Sequence, residues 1–183
     1  MLFQGRSRPV IGLDITTSSI KLIELSRSGD GYRVESYAAE PSPPNAINEK
    51  AIVDSQAVGE AVRRAVKRAG ARSKDCAVAI SGDAAITKVI QMPRNLRDNE
   101  LESQVEMQAD QYIPFPMEEV SYDFEVIGPS EKDPEMLDVL LVATRSENVE
   151  QRQAAVQAAG LTARIVDVEA FALENACRLL THQ

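Results

Sequence analysis

The sequence has little histidine and little cysteine, and this scarcity excludes whole classes of functional site. His182 is the only histidine among the 183 residues, which removes every Ser-His-Asp arrangement and most histidine-based metal sites. The only cysteines, Cys76 and Cys177, lie in apolar contexts without CxxC spacing, so we expect two buried, reduced thiols rather than a disulfide. Any chemistry must therefore rest on carboxylates, hydroxyl groups and lysine.

The sequence also has no long apolar run and no excess of positive charge. No apolar stretch approaches the roughly 20 residues needed to cross a bilayer, and the opening MLFQGRSRPV is too weakly apolar for a secretory signal. The formal net charge is −8, so we expect no nucleic-acid partner. The basic cluster Arg63 to Arg68 falls on a predicted helix, where it indicates a solvated face.

Three strands joined by tight turns are predicted at the start of the chain. The first is Val10 to Asp14, the second is SIKLIELS, and the third, YRVESYAA, follows the turn SGDG. After a proline-rich connection without regular structure, Pro41 to Lys50, a helix begins at Asp54 or Ser55. It ends at Gly70, and the apolar strand CAVAIS then pairs in parallel with the earlier strands. This order is the opening of a ribonuclease-H-like α/β fold.

The middle of the chain predicts a second α/β unit. A strand, AAITKVIQMP, precedes a helix from about Asp98, and two further strands form a hairpin around the loop PSEKDPE. The chain is then predicted to continue with a helix from about Glu147 to Ala159, the strand TARIVDVE and a terminal helix. We therefore place a small α/β subdomain at residues 83–159, inserted into a ribonuclease-H-like subdomain of residues 1–82 and 160–183. On the helix that begins at about Asp98 we expect a buried stripe of Leu101, Val105, Ala109 and Tyr112.

The stretch GLDITTSSIKLIEL, Gly12 to Leu25, is the main candidate for chemistry. Lys21 stands among aliphatic residues, where a buried ammonium is costly unless something compensates it. The turn before it has four successive hydroxyl residues, Thr16 to Ser19, whose backbone N–H groups and hydroxyls suit an anion. Lys21 can reach the same phosphates, and Asp14 can hold the hydration shell of Mg²⁺. The alternative is a plain hairpin in which Asp14 caps the turn and the hydroxyl groups are merely solvated.

Two other junctions allow either a functional or a structural interpretation. Glu169 lies between a strand and a helix, where it can face a ligand cleft or simply interact with the helix dipole. In DQYIPFPMEEV, Pro114 and Pro116 end a helix. Tyr112 and Phe115 then fold onto the core, or part of this apolar run forms a docking surface.

Several stretches resemble the PilM family of type IV pilus assembly proteins. These stretches together span nearly the whole chain. They are GLDITTSSIKLIELS, VAISGDAAITKVIQMP, ADQYIPFPMEEVSYDFEVIG, DVLLVATRSENVEQRQAAVQAAGL and IVDVEAFALENA. That family is actin-like and is similar in fold to the division protein FtsA. The resemblance implies that residues 1–82 and 160–183 are an actin-like subdomain 1A and that residues 83–159 are an FtsA-type subdomain 1C. The second lobe of the family does not occur in this sequence, so we expect the chain to correspond to the first lobe.

The resemblance also implies that ATP and Mg²⁺ bind through a phosphate hairpin. Asp14 matches the hairpin aspartate, which holds Mg²⁺ through water, and Lys21 matches the lysine that reaches phosphate. Thr16 departs from actin itself, which has a glycine there. Because the other phosphate loop and the adenosine pocket belong to the second lobe, we expect weak ATP binding or none, and we assign no catalytic residue. The implied nucleotide-binding residues are Asp14, Thr16, Thr17, Ser18, Lys21 and Glu169.

The resemblance implies that the protein is a nucleotide-binding scaffold rather than an enzyme. The expected partners are the N-terminal cytoplasmic peptide of PilN, docked in a groove between the two subdomains, and other components of the pilus machinery. The protein is then cytoplasmic and peripheral at the inner membrane, which it reaches only through PilN. Two alternatives stay open. One is an active ATPase or phosphotransferase of the actin-like superfamily, for which the sequence supplies no convincing substrate base. The other is the cytoplasmic domain of a GspL-type protein of a type II secretion system.

Overall fold

A computed structural model describes residues 10–29, 31–49 and 51–181 of the chain. These residues divide into two compact units. The first unit contains the described residues up to Ser81 and those from Glu150 onward, and the second unit contains residues 82–149. The strands are β1 Ile11–Ile15, β2 Ser19–Ser28, β3 Gly31–Pro41, β4 Ile47–Asn48, β5 Ala51–Ile52, β6 Asp75–Ile80, β7 Ala85–Pro93, β8 Val120–Pro129, β9 Met136–Arg145 and β10 Thr162–Val168. The α-helices are α1 Ser55–Ala69, α2 Asp98–Tyr112, α3 Ser146–Ala158 and α4 Glu169–Thr181, and short 3-10 helices occupy Gly82–Ala84 and Met117–Glu119.

The first unit is built on a five-stranded sheet with the order β10-β6-β1-β2-β3. β1, β2 and β3 are successive antiparallel neighbours, whereas β6 runs parallel to both β1 and β10. The predicted three-strand start and the predicted parallel crossover are therefore confirmed. The result is a mixed α/β fold around a central sheet.

One face of this sheet forms the core of the first unit together with α1. In β2, Ile20 and Leu22 are fully buried while Lys21 between them is exposed, because successive side chains of a strand point to opposite faces. Val58 and Val62 of α1 belong to the same core and are also fully buried. The opposite face of the sheet is the one that carries Lys21.

Both ends of α1 follow from the sequence. The Asp54 side chain accepts a hydrogen bond from the backbone N–H of Ala57 at 2.9 Å, which satisfies one of the free donors at the helix start. Gly70 takes a φ of 66°, and its N–H donates to Lys67 O to close the last turn. The predicted bounds of this helix are confirmed.

The last turns of α3 belong to the first unit, which corrects the predicted end of the insertion. We placed the inserted subdomain at residues 83–159, whereas the second unit ends at residue 149. Ala155 and Val156 are buried in the core of the first unit, as is Ala159 just after the helix. Apolar packing therefore assigns this part of the helix to the first unit.

The second unit contains a three-stranded antiparallel sheet with the order β7-β9-β8. The predicted hairpin of β8 and β9 is confirmed, with Phe124 opposite Leu141. Leu141 belongs to a core that also contains Met92 of β7 and Val105 and Ala109 of α2. The unit thus has its own hydrophobic core.

Two predictions of burial on helices are wrong. Tyr112 is 44% exposed because α2 ends there, and the next residue, Ile113, takes the buried position. Cys177 is exposed, whereas Cys76 is buried as predicted. Burial raises the pKa of the Cys76 thiol to about 11. In the described part of α4 no side chain is buried, which is why Cys177 stays accessible.

The proline-rich connection also contains more structure than predicted. β4 lies within it and pairs in antiparallel fashion with β5. Lys50 of that connection, Asp30 of the predicted turn and His182 lie outside the described residues. None of the helices in the described ranges is long and apolar enough to cross a bilayer.

Candidate functional site

The hairpin of β1 and β2 brings two of the predicted ligand residues into contact. Asp14 and Lys21 are direct partners in the strand register. Lys21 Nζ donates to Asp14 Oδ2 at 2.8 Å, and the side chains of Lys21 and Asp14 are 48% and 50% exposed, respectively. Lys21 is therefore not a buried ammonium, since strand alternation turns it away from the core and Asp14 balances its charge.

The carboxylate of Asp14 stabilises the charged form of Lys21. The pKa of Lys21 is raised, first by its hydrogen bond to Asp14 and second by Coulomb attraction to the same carboxylate. The contact with Asp14 therefore favours the protonated form of the lysine further. At neutral pH the two side chains form an ion pair without net charge at the base of the turn.

The turn after β1 is tied down through its carbonyl groups. Thr16 N–H donates to Ser19 O at 3.0 Å. Ser42 donates from its N–H to Ser18 O at 3.2 Å and from its hydroxyl to Thr16 O at 2.6 Å. Within the described ranges nothing accepts a hydrogen bond from the N–H of Thr17 or Ser18, and both residues are exposed. The turn thus leaves two accessible backbone donors, an arrangement that suits an anion.

The Thr16 side chain has a structural role in this turn. Its hydroxyl donates to Ser19 O at 2.9 Å and accepts from Ser19 N–H at 3.2 Å. The Ser18 hydroxyl lies 3.3 Å from the Thr16 hydroxyl and is exposed. Of the predicted hydroxyl ligands, Thr16 is therefore the one already engaged by the backbone, while Thr17 and Ser18 face solvent.

Asp14 and Lys21 also line a cavity of about 590 Å³ on the open face of the first unit's sheet. Small residues of β1 and β6, namely Gly12, Ala77 and Ala79, contribute to its lining. Ala172 and Ala176 of α4 contribute as well, one helical turn apart. The volume falls in the range typical of small-molecule pockets, and the lining is mainly apolar.

The carboxylate that β10 adds to this cavity is Asp167 rather than Glu169. Asp167 lines the cavity together with Ile165, two residues before it, whereas Glu169 does not. Alternate residues of a strand lie on the same face. The position of Asp167 two residues after Ile165 in TARIVDV was therefore the feature of the sequence that could have placed both on one face. Tyr37 of β3 lines the cavity too and was not identified from the sequence.

Glu169 lies instead close to a buried arginine that sequence reasoning missed. Arg152 of α3 is 4% exposed, and its Nε donates to Ala79 O at 2.7 Å. Burial lowers the pKa of Arg152, and the charge of Glu169 counteracts that effect. Arg152 stands three and four residues before the buried Ala155 and Val156, which places it on the core side of the helix. Glu169 therefore helps to balance a buried guanidinium.

The side chains present suit a hydrated Mg²⁺ better than a directly bound metal. In the part of the chain that the structure describes, no group of three or more His, Cys, Asp or Glu residues is placed to hold a metal ion. Asp14 offers one half-exposed carboxylate at the hairpin. Mg²⁺ commonly keeps several waters and takes one or two carboxylates together with phosphate oxygens. Asp14 with the turn donors fits that mode of binding.

Comparison with known proteins relates the chain to a family of pilus assembly proteins. A model of the family described as type IV pilus assembly protein PilM matches residues 12–183. The chain is similar to a chain of the PilM–PilN type IV pilus biogenesis complex, at 31% identity and a TM-score of 0.79, over 89% of this chain and 48% of that one. It is also similar to the cytoplasmic domain of EpsL, an inner membrane component of the type II secretion system of Vibrio cholerae, at 14% identity and a TM-score of 0.57. That match covers 90% of this chain and 58% of the other. The chain thus spans about half the length of the PilM–PilN chain, and the EpsL likeness supports the fold alone.

Proposed function

The chain belongs to the type IV pilus assembly protein PilM family, and we propose that it acts as a scaffold of the pilus assembly platform at the inner membrane. The observation that carries this proposal is the likeness to a chain of a PilM–PilN complex along most of the sequence. In this role the protein is cytoplasmic. It reaches the membrane only through a partner that is itself anchored there.

We infer further that the first unit is a ribonuclease-H-like subdomain of the actin type and that the second unit is an FtsA-type insertion. Support comes from the sheet order, in which three antiparallel strands are followed by strands added in parallel after helical crossovers. Fold alone does not assign function. The role in pilus assembly therefore rests on the family, and the ligand rests on the hairpin.

The proposed ligand of the hairpin is ATP with Mg²⁺. The exposed N–H groups of Thr17 and Ser18 and the ammonium of Lys21 suit phosphate oxygens. The half-exposed carboxylate of Asp14 suits the water shell of Mg²⁺. ATP serves as a conformational ligand in this proposal, and no residue is given a catalytic role.

The proposed partner is the N-terminal cytoplasmic peptide of PilN. Other components of the pilus machinery are proposed as further partners. The formal net charge of −8 complements a peptide that carries basic residues. A role in type II secretion has no support beyond the shared fold, because the EpsL likeness is 14% in sequence.

A binding experiment with two peptides tests the scaffold proposal. The 183-residue chain is titrated with a synthetic peptide of the PilN cytoplasmic segment and, separately, with the same residues in scrambled order. We expect saturable binding of the native peptide only, measured by isothermal titration calorimetry. The scrambled peptide keeps charge and composition, so it controls for attraction by net charge alone. Equal binding of both peptides, or binding of neither, would contradict the proposal.

A further inference from the structure

The ion pair of Asp14 and Lys21 joins the two side chains that the proposed function assigns to opposite parts of one ligand. Lys21 is assigned to phosphate and Asp14 to hydrated Mg²⁺, yet their charged atoms lie 2.8 Å apart. Neither side chain is fully available to a ligand while it is paired with the other. Binding therefore has to open this pair, and the charge of the ligand decides what replaces it.

Charge around the adjoining cavity disfavours a lone anion. The charged residues that line it are Asp14, Lys21 and Asp167, which together carry one negative charge. A free polyphosphate that draws Lys21 away leaves Asp14 unpaired beside further negative charge. A free Mg²⁺ that draws Asp14 away leaves the Lys21 ammonium next to a cation. Like charges at such distances repel, so each ion alone meets a penalty.

We propose that the Asp14–Lys21 ion pair makes the hairpin selective for a metal–polyphosphate complex over polyphosphate or metal alone. The complex presents an anion to Lys21 and a hydrated cation to Asp14. Each side chain therefore loses its partner in the ion pair but gains a new partner of opposite charge. This selectivity rests on the proposed nucleotide binding and adds to it the form of ligand that is accepted. Asp14 and Lys21 are then specificity-determining residues as well as ligands.

The size of the effect follows from the exposure of the pair. Both side chains are about half exposed, and ion pairs in such positions are weak because water screens them. Removing one partner frees the other for its own ligand and should tighten that single interaction by about twofold to fivefold. A change of this size is measurable by titration.

Two substitutions with opposite predictions test the proposal. Amide chemical shifts of the chain are followed during titration with inorganic triphosphate in a chelator, with Mg²⁺ alone, and with their complex. Asp14→Asn should tighten binding of free triphosphate by about twofold to fivefold and reduce the advantage of the complex. Lys21→Met should tighten binding of Mg²⁺ alone by a similar factor.

A second ion pair in the same sheet supplies controls of equal charge. Arg164 Nε lies 3.0 Å from Asp75 Oδ1, and Asp75 is the first residue of β6. Asp75→Asn and Arg164→Met change the net charge by the same amounts but leave the hairpin intact. Neither control should reproduce the gain of its counterpart. Spectra that differ from the original protein only near the substitution show that each variant is folded.

The outcomes separate this inference from the nucleotide proposal. If the original protein binds the complex but Asp14→Asn gains no affinity for free triphosphate over Asp75→Asn, the selectivity is overturned and nucleotide binding stands. If the original protein binds no form of triphosphate, both are overturned. The opposite gains of Asp14→Asn and Lys21→Met, absent from the controls, would establish the selectivity.

Discussion

At the scale of single residues, Glu24 is a buried carboxylate that organises a loop. It is 5% exposed on β2 and accepts hydrogen bonds from the backbone N–H groups of Arg72 and Ser73, at 3.3 and 3.1 Å. The Ser36 hydroxyl donates to it at 3.2 Å. Arg72 and Ser73 belong to the loop between α1 and β6, so this carboxylate fixes the point where the crossover returns to the sheet.

Replacing Glu24 should cost stability because its donors lose their acceptor. We expect Glu24→Ala to lower the free energy of unfolding by about 1–3 kcal/mol, the usual cost of leaving a buried polar group unpaired. Urea denaturation followed by circular dichroism measures the change. Glu35→Ala on the neighbouring strand is the matched control, since Glu35 is an exposed carboxylate bonded to Ser26 and Arg33. An equal shift of the unfolding midpoint in both variants would contradict the role given to Glu24.

The sequence identified Asp14 and Lys21 as candidate ligands but not their mutual contact. Residue types and the spacing of seven positions are visible in the sequence. Their pairing depends on the register of the hairpin, which the turn length determines. Arg152 was missed for a related reason, since an arginine within a polar helix reveals its burial only when the packing of that helix is known.

At the scale of elements, α1 and α3 lie in close contact at Gly59. A Cβ atom added to Gly59 would lie 2.6 Å from the backbone oxygen of Ala155 and 2.6 Å from Ala158 Cβ. Real Cβ atoms do not approach backbone so closely, so one of the helices would have to move. Glycine at this position therefore sets the spacing of the two helices in the core.

Gly59→Ala tests this contact because its two effects oppose each other. Alanine in a helix interior gains about 1 kcal/mol over glycine, whereas overpacking of a well-filled core costs about 1–3 kcal/mol. With backbone as the obstacle we expect the cost to dominate, for a net loss of about 1 kcal/mol in the free energy of unfolding. Glu60→Ala, at the next and exposed position of the same helix, should change it by less than about 0.5 kcal/mol. A stabilised Gly59→Ala variant would show that the helices adjust freely.

Element positions were predictable where local chemistry determines them. The cap at Asp54 and the left-handed Gly70 define α1 without reference to the rest of the chain. β9 begins at Met136, directly after the loop PSEKDPE that was predicted to connect the two strands of the hairpin. Exposure was less predictable. Tyr112 and Cys177 lie on apolar helix patterns but are accessible, since burial depends on what covers a face.

At the scale of the whole molecule, the described residues supply one hairpin proposed to bind phosphate, beside a mainly apolar cavity. The donors suited to phosphate are the N–H groups of Thr17 and Ser18 and the ammonium of Lys21. The chain spans about half the length of the PilM–PilN chain that it matches. Tight binding of a small ligand usually requires most of its surface to be enclosed by the site. A hairpin that contacts only the phosphates leaves the ribose and base in solvent.

We therefore expect the 183-residue chain to bind ATP with Mg²⁺ no more tightly than a dissociation constant of about 1 mM, equivalent to about −4 kcal/mol. Calorimetric titration at high protein concentration measures this affinity. Lys21→Met should abolish the remaining binding, because it removes the ammonium proposed to contact the phosphates, whereas Arg164→Met removes a remote positive charge and should not. Micromolar affinity that depends on Lys21 would contradict the expectation and require further contacts to the ribose and base. The apolar cavity lined by Tyr37, Ile165 and Ala172 is the part of the first unit where such contacts would then have to be sought.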